Sequence, residues 1–138
     1  FRHADAFQVK GLDETFDILM WNNALHHMSD VDEALAWSRR VLKPGGTLSI
    51  VELMPHRETW MHQDLGDRHL GLDPTEVQTA LTRAGFDDVR VEPLEDRYCP
   101  QPAASPLDGP AAESPTAHGS TRTVALPLYL VRGRVPQV

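Results

Sequence analysis

The sequence predicts an α/β fold built on an open, mostly parallel sheet, and three stretches carry that expectation. FDILMW, Phe16 to Trp21, is a nearly continuous apolar run bounded by acidic and amide residues; such runs are the habit of parallel strands covered on both faces. Residues Val31, Ala34, Leu35, Ser38, Val41 and Leu42 recur at helical spacing, so one stripe of that segment faces a core. TLSIVEL, Thr47 to Leu53, is a second apolar strand. Strand, helix and strand in succession call for a right-handed crossover and parallel pairing.

Taken in order, residues 1–14 are polar and rich in turn formers, and Phe16 to Trp21 follows as the first complete strand. Ser29 or Asp30 is placed to cap the first helix, with Asp32 or Glu33 three residues on to complete a capping box. Pro44 and the Gly45-Gly46 pair end that helix before the second strand. Their place after a helix makes them a turn into a buried strand rather than a phosphate cradle. Met54 to Gly71 is polar and is expected to be partly helical. Asp73-Pro74-Thr75-Glu76 is a strong helix start, Val77, Ala80, Leu81 and Ala84 line its inner face, and Gly85 stands at its end. Phe86 to Leu94 alternates as a strand. Cys99 to Arg122, rich in Pro, Ala, Ser and Gly, is too poor in large apolar groups to offset its ordering entropy and is expected to be a flexible loop. Val124 to Arg134 returns to strand composition and should pair antiparallel with Phe86 to Leu94, or lie one strand away. Pro127 removes a ladder donor from it, so a bulge or local break is expected there.

The composition narrows the function. A chain of 138 residues has room for one domain with a real core. A net charge of -7 with 13 scattered basic residues argues against a nucleic-acid binder. Cys99, the single cysteine, rules out an intrachain disulfide framework and most cysteine-based zinc sites. No apolar run reaches the roughly 18–20 residues of a membrane span, so a cytoplasmic protein with no membrane partner is the expectation. The chain opens on Phe1 rather than Met, which suggests a fragment.

The stretch FDILMWNNALHHMSDVDEALAWSRRVLKPGGTLSIVEL, with its FD-apolar strand, LHH, Asp-led helix and LKPGG turn in that order, resembles the second half of a class I S-adenosylmethionine-dependent methyltransferase. AGF followed by a strand, and VALPLYLV, are similar to that family's C-terminal antiparallel pair. HQDLGDRHLGLDPTEVQTALTRAGF is similar to small-molecule methyltransferases fused to arsenic-resistance-type winged-helix repressors and, less closely, to those of quinone biosynthesis. The resemblance implies a Rossmann-like sheet in a single partial domain spanning residues 1–138, with S-adenosylmethionine as cofactor and a small-molecule methyl acceptor as partner. The family's D-x-G-x-G turn and the acidic residue after its second strand have no counterpart here, and FRHAD looks like the end of its third strand. The N-terminal strands are therefore expected to be missing, which would leave the first complete strand on an edge and invite dimerisation. A nucleotide-cofactor oxidoreductase half and a non-catalytic remnant are the rival readings of the same alternation.

In open parallel sheets ligands sit beyond the carboxyl ends of the strands. That rule alone selects Asp5, Asn22 and Asn23, Glu52, and Met54 to His56. The resemblance then assigns roles. Asp5 would accept from the cofactor's adenine amino group, and Ala6 would offer its backbone N–H. Asn22 would contact the methionine portion, with Asn23 beside it. His26 and His27 are the candidates for a base if the acceptor is a hydroxyl. Glu52 and His56 would line the acceptor. His62 and His69, seven residues apart, would lie on one helical face about 10 Å apart, too far to share an ion, and no metal is expected.

Overall fold

A computed structural model describes residues 6–65, 67–100 and 124–137. Asp5 and almost all of the Pro-rich stretch fall outside the described residues. Four strands, β1 (Phe16–Asn22), β2 (Leu42–Leu53), β3 (Asp87–Tyr98) and β4 (Leu126–Arg134), form one sheet in the order β1-β2-β4-β3. β1 and β2 are parallel, and β4 is antiparallel to both β2 and β3. The helices are α1 (Val31–Val41), α2 (Trp60–Asp64) and α3 (Pro74–Arg83).

Each helix start follows from its cap. Asp30, not Ser29, caps α1, its carboxylate accepting from the Glu33 N–H at 3.0 Å. Asp73 caps α3 by accepting from Thr75 N at 2.8 Å, with Pro74 at the first helical position. Replacing Asp73 by alanine is expected to lower stability by about 1 kcal/mol, read as a shift in the urea midpoint with an unchanged slope.

The sheet carries apolar side chains on both faces, and the strand alternation sorts them. Leu48, Ile50, Tyr129 and Val131 pack with Ala34, Leu35, Val77 and Leu81 of α1 and α3. Leu53, Leu126 and Leu128 point the other way and pack on Met61 of α2, with half-buried Trp60 beside them. Burying each such aliphatic side chain contributes about 1.5–3 kcal/mol before entropy is charged against it.

The expectation that Phe16 to Trp21 is covered on both faces holds on one face only. Leu19 and Trp21 pack toward α1, whereas Ile18 and Met20 are 65% and 62% exposed. Among the described residues β1 is an edge strand, and no described helix lies over that part of its outer face. β4, by contrast, is interior despite Pro127. Its ladder with β2 ends at the Leu53–Leu128 pair, one residue before the proline. The β3 register shifts between Pro93 and Arg97, opposite the same end. The expected irregularity is thus present but local: the β2 ladder stops short of the proline, while Met54 N–H donates to its carbonyl and β3 resumes pairing at Arg97–Pro127.

The Lys-Pro-Gly-Gly turn is absorbed into β2, which begins at Leu42 rather than Thr47. Gly45 has φ +79°, and its N–H donates to the Val135 carbonyl, while Val135 N–H donates to Gly46 O. A Cβ on Gly46 would lie 2.8 Å from Lys43 O and 3.1 Å from Asp17 O. Gly45 thus supplies a left-handed turn and Gly46 a close backbone approach on the way from the helix into the buried strand.

Candidate functional site

The carboxyl ends of β1 and β2 lie side by side, and a short 3-10 turn, Leu25–His27, crosses over them. Glu52, at the end of β2, is wholly buried and holds this turn in place. One of its oxygens, Oε1, accepts from the His26 backbone N–H at 3.0 Å, and the other, Oε2, accepts from Leu53 N–H. Both oxygens lie within 3.0 Å of His26 Nδ1. The fit is that of a ring N–H donated to a carboxylate, which leaves Nε2 as the end that reacts.

Asp67 completes the group. Arg68 and His69 each donate a backbone N–H to the His26 carbonyl at 2.9 Å. Asp67 N–H donates to the carbonyl of Met61 in α2, and the Asp67 carbonyl lies 2.6 Å from His62 Nδ1. These bonds fold residues 67–69 back over the turn. Asp67, 3% exposed, then places Oδ1 at 3.6 Å from His26 Nε2 and 3.4 Å from His27 Nδ1. Its other oxygen, Oδ2, is buried and has no hydrogen-bond partner among the described residues, which is costly for a carboxylate and calls for an explanation.

The electrostatics follow from this geometry. Burial pulls the His26 pKa down, but the hydrogen bond and charge of Glu52, together with the charge of Asp67, outweigh it, and the pKa is raised. His56 goes the other way, lowered chiefly by burial. Its Nδ1 accepts from Glu58 N–H, and its Nε2 is buried without a partner among the described residues.

The structure thus brings together His26, His27 and Glu52 from the sequence-derived set. His56 belongs to the same neighbourhood, since the charges of Asp67 and His26 reach it. Asn22 ends β1 and is exposed. Asn23 takes a left-handed φ of 50° that its short amide tolerates. Its N–H donates to Val51 O, and its Oδ1 is buried without a partner among the described residues. Ala6 opens a 3-10 turn, Ala6–Gln8; Asp5 lies outside the described residues. The helical spacing argument for His62 and His69 fails, because α2 ends at Asp64. His69 Nε2 instead sits 3.0 Å from Met28 O. Sequence reasoning missed Asp67, which sits in a polar stretch without periodicity. A cavity of about 340 Å³ opens between the start of α1 and α3, lined in part by Asp30, His69, Glu76 and Arg83. It does not include the His26 group.

No described helix is long and apolar enough to cross a membrane. A family model described as a methyltransferase domain matches residues 1–50. The chain is 31% identical over 120 residues to a sterol 24-C-methyltransferase of Aspergillus fumigatus, a match covering 79% of this chain and 32% of the relative. It is 35% identical over 54 residues to 27-O-demethylrifamycin SV methyltransferase of Amycolatopsis mediterranei, covering 39% of this chain and 20% of the relative. The match thus spans a third or less of the length of these curated relatives. Among solved structures, phosphoethanolamine N-methyltransferase 2 of Haemonchus contortus, in complex with phosphomonomethylethanolamine and S-adenosylhomocysteine, superimposes with a TM-score of 0.64 at 16% identity. That likeness covers 96% of this chain and 36% of the other.

Proposed function

We propose, from the premise that this chain has the fold of the class I S-adenosylmethionine-dependent methyltransferases, that it is the C-terminal part of a domain transferring a methyl group to a small-molecule acceptor. The observation that carries the proposal is the Glu52–His26–Asp67 group at the carboxyl ends of the parallel pair, where an open sheet presents its ligands. Residues 62–86 are what relate it to the arsenic-resistance-type and quinone-biosynthesis branches.

In this reading Asp5, Ala6, Asn22 and Asn23 bind S-adenosylmethionine. The amide oxygen of Asn23, which has no partner among the described residues, suits the cofactor's ammonium or hydroxyl groups. The cofactor supplies an electrophilic methyl on a sulfonium. When bound, it would offer that carbon to the acceptor atom, with the electron pair of the broken bond staying on sulfur. Where the acceptor bears a proton, His26 Nε2 takes it, Glu52 holds the ring, and Asp67 faces the resulting imidazolium. His27, Glu52 and His56 shape the acceptor's surroundings. The main contribution is alignment and exclusion of water, since methyl transfer is an in-line displacement.

Calorimetric titration with S-adenosylhomocysteine tests this, on the 138-residue chain and on the whole product of its gene. Binding by the whole product, and weak or no binding by this chain alone, is expected. Absence of binding by both contradicts the cofactor assignment.

A further inference from the structure

We propose that His26, His27 and Asp67 form a binding site for one divalent metal ion of the zinc, cobalt or nickel kind. One ligand atom from each lies within 4.8 Å of the other two. The two Asp67 edges measure 3.6 and 3.4 Å. The first is too long for a hydrogen bond. Both resemble the spacing of roughly 3.3–3.5 Å between neighbouring ligand atoms of a tetrahedral ion with bonds of about 2.0–2.2 Å.

Two further observations point to a ligand. Asp67 is 3% exposed and its Oδ2 has no partner among the described residues, so the carboxylate has an unused lone-pair surface inside the protein. Glu52 meanwhile holds His26 Nδ1 through both oxygens. That is the carboxylate–histidine arrangement that fixes a ligating ring and turns its free nitrogen toward a metal. His27, whose side chain is 40% exposed, gives the ion a route from solvent. Two nitrogens and one carboxylate oxygen suit a borderline cation rather than calcium or magnesium, and three protein ligands leave a fourth position for water or an acceptor oxygen. An ion here takes the lone pair on His26 Nε2, so metal and proton exclude one another at that atom.

Cobalt(II) titration of the chelator-stripped chain, followed by visible absorption, tests the site without any methyl transfer. One equivalent is expected to give the bands of a tetrahedral cobalt site, displaced by zinc. His27→Ala, at a partly exposed position and checked for folding by circular dichroism, is expected to weaken binding at least about 10-fold, and Asp67→Asn likewise. Glu52→Gln should weaken it about 10–100-fold through the His26 ring. Absence of the bands, or equal affinity in the His27→Ala chain, overturns the site. Because no cofactor is present, that failure is distinguishable from failure of the methyl-transfer reading.

Discussion

Replacing Glu52 by alanine is expected to destabilise the protein by about 3–5 kcal/mol, the range seen when one partner of a buried charged pair is removed. The wholly buried carboxylate accepts from His26 N, His26 Nδ1 and Leu53 N. Alanine leaves those donors in a dry interior, where each unsatisfied group is costly. Against a total of about 5–15 kcal/mol for an ordinary domain, the loss is readable as a large drop in the urea midpoint. Glu52→Gln, which keeps the shape and one acceptor oxygen, should cost less. The two variants also differ from the parent in pH dependence. Because the His26 pKa is raised from 6.5, its pairing contributes fully below that value and is lost as pH climbs through the higher folded-state pKa. The parent should therefore lose stability across that window, and the Glu52→Ala chain should lose most of that slope.

Gly71→Ala is expected to be comparably damaging for a different reason. Gly71 has φ +76°, and a Cβ there would overlap the Met54 carbonyl, lying 2.6 Å from its carbon and 2.9 Å from Pro55 Cα. All of these are backbone atoms, so no side chain can swing aside. The flanking bonds, His56 N–H to Leu70 O and Leu72 N–H to Leu53 O, hold both segments. A left-handed alanine costs roughly 1–2 kcal/mol, and an overlap of this kind adds roughly 1–3. Amide exchange should show the effect first at residues 67–72, which carry Asp67. Protection there equal to the parent's would contradict the packing described.

The strand–helix–strand unit was legible because its signals are local. The apolar run, the aspartate caps, the Pro-Gly-Gly stop and the helical stripe each follow from neighbours in sequence. The antiparallel closing pair and a local irregularity at Pro127 were legible too, since proline supplies no ladder donor. The exposure of Ile18 and Met20 was not, because apolar composition reports what a strand is built to bury rather than what covers it. His26 and Glu52 were each singled out, but their pairing joins residues 26 apart, and no spacing rule connects them. Asp67 was illegible for the same reason: backbone bonds to the His26 carbonyl carry it into the group. The helical reading of His62 with His69 failed because a polar stretch gives no signal for where a short helix stops.

Glu52 fixes His26 with Nε2 facing Asp67, and the whole site rests on that orientation. Nitrogen-detected NMR of the imidazole rings across a pH titration of the metal-free chain measures it directly. His26 is expected to titrate above 6.5, to keep its Nδ1 proton throughout, and to fall back toward 6.5 in Glu52→Gln. A His26 that titrates at or below 6.5, or whose neutral form carries its proton on Nε2, would contradict it.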